Sequence, residues 1–168
     1  MTLSLVRTPI DIKKCNFFIL DGGSNSLTMT LGDGSFNWTR KTEIKYIKNR
    51  GVLDTVMYGD QMPLEVRFEA TAIRFKSTGS EPVTIYEALT QEGGAAAWAS
   101  TDTDPCAPYA VDLKIDYKPA CPTVKKEDTL LTDFRQEDME YDAKSGMVKI
   151  SGKCNVTEPT FTRLTNTT

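Results

Sequence analysis

The sequence has 168 residues, 39% of them apolar and 26% charged, with a formal net charge of −3. This length and apolar content fit one folded domain spanning residues 1–168 and exclude a disordered chain. The acidic balance disfavours a protein that grips nucleic acid. The sequence contains no His, which removes the commonest general base and zinc ligand. We therefore expect a protein that is not an enzyme and holds no metal or cofactor.

Neither a secretory signal nor a membrane span is predicted. The first residues lack a basic region followed by a long apolar run. No apolar run approaches the roughly 20 residues of a membrane helix. We expect the chain to fold in a reducing cytoplasm, where its four Cys stay thiols. A disulfide between Cys106 and Cys121 is the alternative.

Alternation of apolar and polar residues, the pattern of β-strands, runs through most of the sequence. In the clearest example Leu64, Val66 and Phe68 face one way and polar residues the other. This pattern predicts antiparallel sheet with one buried face. A change of phase after Ala72 predicts a bulge or bend. The predicted strands are 27–31, 43–47, 64–72, 111–117, 133–142 and 148–156.

One short helix interrupts the strands. Thr84 is a candidate N-cap, and Ile85, Ala88 and Leu89 follow at helical spacing. Gly93 and Gly94 are expected to end the helix. The small, polar, Pro-containing stretch 93–108 is expected to be a loop.

The connection between residues 48 and 63 combines turn-forming Gly and Pro with apolar residues. Long connections of this kind are uncommon in compact domains unless they have a function. The segment is either a β-hairpin arm folded onto the body or an arm that docks on a neighbouring copy, and we favour the second. The residues expected to make that contact are Val52, Leu53, Val56, Met57 and Tyr58.

Many short strands, one short helix, one long connection and no internal repeat predict a mainly β protein. The expected architecture is an antiparallel β-sandwich or a partly closed barrel. No catalytic motif accompanies it: Gly-rich phosphate loops, the twelve-residue calcium loop and a GxSxG nucleophile turn are all missing from the sequence.

Four stretches, in this order, resemble the major tail tube protein of long, flexible-tailed phages. They read GVLDTVMYGDQMPLEV at 51–66, IYEAL at 85–89, CAPYAVD at 106–112 and VKISGKCN at 148–155. The resemblance covers about residues 25 to 163. It departs at the end of the helix, where Thr90-Gln91-Glu92-Gly93 replaces the family's Lys-Gly ending.

The resemblance implies a structural protein of the virion tail that is assembled in the host cytoplasm. Six copies would form a ring, and stacked rings would enclose a channel through which DNA passes without specific binding. The long connection would bridge adjacent rings. Other tail proteins, such as the tape measure, tail tip and terminator, would be further partners. A host-attachment or tail-tip domain that binds a receptor or glycan is the alternative function.

Under this resemblance, the polar face of a long strand would line the channel. Two sets of residues are candidates for that lumen face. The first set is Glu65, Arg67 and Glu69, and the second is Asp133, Arg135 and Glu137.

Overall fold

The structure, a computed structural model, describes residues 13, 15–31, 35–72, 83–118 and 125–164. Of these residues 54% lie in strands, so the predicted mainly β fold with one short helix is confirmed. The strands are β1 Cys15–Leu20, β2 Ser26–Met29, β3 Phe36–Thr39, β4 Ile44–Asn49, β5 Val52–Tyr58, β6 Leu64–Thr71, β7 Val111–Tyr117, β8 Lys126–Asp142, β9 Met147–Cys154 and β10 Thr160–Leu164. The helix α1 spans Ile85–Thr90.

Eight strands form one antiparallel sheet in the order β2-β1-β7-β8-β9-β6-β3, with β10 beside β8. β4 and β5 form a separate two-stranded sheet. The large sheet is not closed into a barrel. Within the described residues, no helix is long and apolar enough to cross a membrane.

The large sheet folds back over itself at β8. The first part of this 17-residue strand pairs with β7 and β10, whereas its second part pairs with β9. Between them Asp133 has a left-handed φ of +53°. As a result Phe17 of β1 and Phe36 of β3, far apart in the strand order, have ring centroids only 5.4 Å apart. Two layers therefore enclose one apolar core, as in a β-sandwich. The first layer contains β1, β2, β7, β10 and the first part of β8, and the second contains β3, β6, β9 and the second part of β8.

The core contains the side chains that strand alternation predicted. Leu64, Val66, Phe68 and Ala70 of β6 are buried, at 0 to 2% exposure. Phe68 stacks on Phe36 at 5.3 Å and touches Phe134 at 6.0 Å between ring centroids. This aromatic row joins the two layers through the middle of the sandwich.

The helix begins as predicted and ends earlier than predicted. Glu87 N donates to Thr84 Oγ1 at 3.2 Å, and Thr84 N donates to Glu87 Oε2 at 3.0 Å, which completes a capping box. The prediction that Gly93 and Gly94 end the helix is wrong. The cap is Gln91, left-handed at φ +58°, and its Nε2 donates to Trp98 O at 2.6 Å.

Several strand boundaries differ from the predicted ones. The predicted strand 148–156 ends at Cys154, and the predicted strand 133–142 is the second half of β8, which begins at Lys126. Strands β1, β3 and β10 were not predicted, and β5 falls in the segment interpreted as a long connection. The change of phase after Ala72 lies outside the described residues.

Candidate assembly surfaces

The long connection between residues 48 and 63 forms a β-hairpin with β4. Asn49 of β4 pairs with Val52 of β5, so the turn consists of Arg50 and Gly51 alone. Both turn residues have positive φ, +51° and +84°, the geometry of a type I′ turn. A register shift after Ile47 inserts a bulge near the tip.

The hairpin exposes an unusual concentration of apolar side chains. Among the described strands, β4 and β5 pair only with each other. Each of the exposed apolar side chains is 45 to 82% exposed. The exposed set is Ile44, Tyr46, Ile47, Val52, Leu53, Val56, Met57 and Tyr58. It contains every residue predicted for the inter-subunit contact. The hairpin is thus not folded onto the body, while its docking on another copy stays a prediction.

One face of the hairpin is more apolar than the other. Tyr58 lies opposite Ile44, and Val56 lies opposite Tyr46. Directly paired residues project from the same side of an antiparallel ribbon. These four residues, here called the hairpin's apolar face, therefore form one continuous surface.

The base of the hairpin is held by hydrogen bonds. Gly59 N donates to Glu43 O at 2.9 Å, and Asp60 N donates to Glu43 Oε2 at 2.8 Å. Beyond the base, Lys41 Nζ lies 2.5 Å from Glu65 Oε1 on β6. These contacts fix the point at which the arm leaves the sandwich.

The first lumen candidates lie on the outer face of the second layer. Glu65, Arg67 and Glu69 project away from the core, opposite Lys153, Ser151 and Lys149 of β9. On the other side of β9, Arg135, Asp138 and Glu140 of β8 lie opposite the same three β9 residues. We call this surface the polar sheet face.

Two of the three β8 candidates join that face. Arg135 lies opposite Lys153 and is fixed by an ion pair to Asp102 and by a 3.0 Å hydrogen bond from its Nε to Pro108 O. Glu137 lies 3.1 Å from Lys153 Nζ.

Asp133 lies elsewhere, at the bend of β8. Its carboxylate accepts a 2.8 Å hydrogen bond from Thr101 Oγ1, and its backbone N donates to Asp112 Oδ1 at 2.9 Å. Asp133 therefore lies apart from Arg135 and Glu137, and its place on a lumen face stays a prediction.

Acidic and basic side chains are nearly equal in number on the polar sheet face. The acids are Glu65, Glu69, Glu137, Asp138, Glu140 and Asp142, and the bases are Lys41, Arg67, Arg135, Lys149 and Lys153. Glu69 and Glu140 both lie opposite Lys149. Such a face offers no net positive charge to hold DNA phosphates.

A cavity of about 220 Å³ opens between the two layers beside β3. Phe17, Ile115 and Tyr117 line it from one layer, and Phe36 and Trp38 line it from the other. Glu127 contributes a carboxylate, whose Oε2 accepts from Arg163 Nε at 3.1 Å. The sequence did not point to this cavity, since its walls come from strands far apart along the chain.

The described residues bring together little reactive chemistry. Among them, no group of three or more His, Cys, Asp or Glu side chains could hold a metal ion. Cys154 is buried; burial first, and then the charges of Asp112 and Asp133, raise the pKa of its thiol to about 12. The protonated thiol is a poor nucleophile. Cys106 is an exposed, free cysteine. Cys121, its partner in the alternative disulfide, lies outside the described residues.

Comparisons with protein-family models, with curated proteins and with solved structures gave no significant match.

Proposed function

We propose that this protein is a structural subunit that assembles with itself, specifically the tail tube subunit of a long, flexible-tailed phage. In this proposal hexameric rings stack around a channel for DNA, and the tube's ends meet other tail proteins. The protein is not an enzyme. The observation that carries the proposal is the projecting hairpin with its eight exposed apolar side chains.

A two-stranded hairpin is marginally stable in water by itself. Large exposed apolar patches are rare on monomers and mark interaction sites. Burial of this hairpin against another copy would stabilise its two strands and cover the exposed apolar patch. Because the hairpin differs from the surface that receives it, the contact is heterologous, and contacts of this type build rings or filaments.

The polar sheet face supports the same function. A channel that conducts DNA must not bind it tightly, because many Lys and Arg contacts would hold the phosphates in place. On this face the cations Lys41, Arg135 and Lys153 are all in ion pairs. We therefore assign the polar sheet face to the lumen.

Removal of the hairpin tests the proposal. Since Gly59 N donates to Glu43 O at 2.9 Å, a two-residue Gly-Ser linker can replace residues 44–58 without moving the strands beneath. The shortened protein should fold, as judged by circular dichroism and thermal melting, and should remain monomeric. The intact chain should form rings or tubes in negative-stain micrographs and scatter light as its concentration rises.

Two outcomes would contradict the proposal. Tubes formed by the shortened chain would show that the hairpin is not the assembly element. An intact chain that stays monomeric even with other tail proteins supplied would argue against a tube subunit altogether.

A further inference from the structure

Two apolar surfaces that the described residues leave open complement each other, namely the hairpin's apolar face and the cavity beside β3. We infer that the apolar face of one copy covers the cavity of a second copy, with a tyrosine ring of that face filling the cavity. The inference rests on the proposed self-assembly and adds the surface that receives the hairpin.

The cavity has the size and lining for an aromatic ring. Its volume is about 220 Å³, whereas a dry apolar cavity of about 150 Å³ already admits benzene. Phe36, Trp38 and Tyr117 supply aromatic walls, against which another ring can stack offset or edge to face. Tyr46 and Tyr58 are the aromatic residues of the apolar face, at 60% and 82% exposure.

The polar part of the cavity also matches a tyrosine. Glu127 lines the cavity and uses Oε2 for its bond to Arg163. An ionised carboxylate has about four acceptor sites, so Glu127 can also accept a bond from a phenol hydroxyl. A tyrosine combines an apolar ring with such a donor at its tip.

The area available on the hairpin suits a stable contact. Aromatic side chains bury roughly 150–250 Å² each. At exposures of 46 to 82%, the four side chains of the apolar face together offer on the order of 500 Å². That is more than half of the roughly 800 Å² that each partner contributes to a standard protein interface. The cavity alone is smaller, so it would anchor the contact and the sheet edge around it would supply the rest.

Photo-crosslinking tests the inference on the full chain. Benzoylphenylalanine is placed at Tyr58 or, in a second variant, at Tyr46, and each variant is assembled with isotope-labelled unsubstituted copies. Crosslinks should join the hairpin to residues 36–38, 115–117 or 127–129 of a labelled copy in mass spectra. The same group at Tyr86, a 53% exposed tyrosine on α1, should give no such crosslink.

Filling the cavity gives an independent readout. Ile115→Phe adds bulk at the cavity wall, and we expect it to raise the critical concentration for assembly about tenfold, equivalent to about 1.4 kcal/mol. Ile115→Val should assemble like the unsubstituted chain. Thermal melting identifies any variant that fails to fold.

The outcomes separate the two proposals. Crosslinks from both tyrosines to other sites, or within one copy, would overturn the inference and leave self-assembly standing. Normal assembly of folded Ile115→Phe would overturn it as well. An unsubstituted chain that does not assemble would overturn the proposed function and the inference together.

Discussion

Tyr46 lies opposite Val56 across the hairpin, and 60% of Tyr46 and 59% of Val56 remain exposed. A cross-strand pair of an aromatic and a β-branched residue stabilises a sheet by roughly 0.2–1 kcal/mol. Full burial of one such side chain is worth roughly 1.5–3 kcal/mol. Burial of Tyr46 and Val56 against a partner would therefore stabilise the hairpin more than their contact with each other does.

Polar substitution of this pair should block assembly and leave the fold intact. Tyr46→Thr with Val56→Thr keeps residues that favour strands but removes the apolar surface. We expect no tubes in negative-stain micrographs and no rise in light scattering with concentration. The melting temperature should change little, since the sandwich core is untouched.

Tyr86→Gln is the matched control, because Tyr86 is an equally exposed tyrosine on α1, at 53%. This variant should assemble normally. Tubes formed by the doubly substituted chain would contradict the role assigned to the hairpin.

Removal of one ring from the aromatic row should destabilise the domain. Phe68 is 2% exposed and stacks on Phe36. Phe68→Ala should lower the free energy of unfolding by about 3–5 kcal/mol, since it combines lost burial with a cavity. Urea denaturation of the monomer measures the change.

The same substitution at a different phenylalanine provides the comparison. Phe161 on β10 is 53% exposed, so Phe161→Ala should lower the free energy of unfolding by less than about 1 kcal/mol. Equal decreases in the free energy of unfolding for the two variants would contradict the central position of Phe68 in the core.

The sequence allowed those parts of the fold to be predicted that depend on local pattern. Alternation in 64–71 predicted the buried face of β6, and the spacing around Ile85 predicted α1. The exposed hairpin was found through its apolar residues in a Gly- and Pro-bounded connection. In each example the signal lies within a few consecutive residues.

The missed features depend on contacts between distant residues. Asp133 adopts its left-handed conformation with support from Asp112 and Thr101, so the bend of β8 has no local signature. Gln91 ends α1 in the same conformation, which glycine usually supplies. The cavity beside β3 likewise appears only when the two layers come together.

Asp21 should make the stability of the fold depend on acid pH. Its buried carboxylate accepts hydrogen bonds from the backbone N of Gly23, Asn25 and Ala99, at 2.8 to 3.1 Å, and from the Asn25 side chain. These bonds join the β1–β2 turn to the chain after α1. Burial works against the charged form, but the bonds from Asn25 and Ala99 outweigh it and lower the pKa of Asp21.

The sign of the pH effect follows from that lowered pKa. The unfolded chain takes up the proton first, near pH 4. The contribution of Asp21 is therefore complete above about pH 4 and disappears as the pH falls through the folded-state pKa. Asp21→Asn should cost about 1–3 kcal/mol at neutral pH, because an amide cannot accept all four bonds.

Urea denaturation between pH 2.5 and 7 measures this difference. The difference in free energy of unfolding between the unsubstituted chain and Asp21→Asn should become smaller below about pH 4. A gap that stays constant over this range would contradict the assignment. Asp54→Asn on the exposed hairpin serves as the control and should show no gap.

The balance of charge on the polar sheet face gives a test of its place in the lumen. Glu69 and Glu140 lie on either side of Lys149, so Glu69→Gln with Glu140→Gln removes both of its cross-strand carboxylates. In a tube this change repeats in every copy and makes the channel positive.

Tubes of this variant, assembled with short labelled DNA duplexes, should retain DNA on sedimentation. The retained amount should fall steeply between 50 and 200 mM salt, because DNA bound through its phosphates is released as salt rises. Glu92→Gln with Glu158→Gln changes the net charge equally, at exposed positions outside the strands of this face, and should retain no more DNA than the unsubstituted tube. Equal retention by the two variants would place the polar sheet face outside the channel.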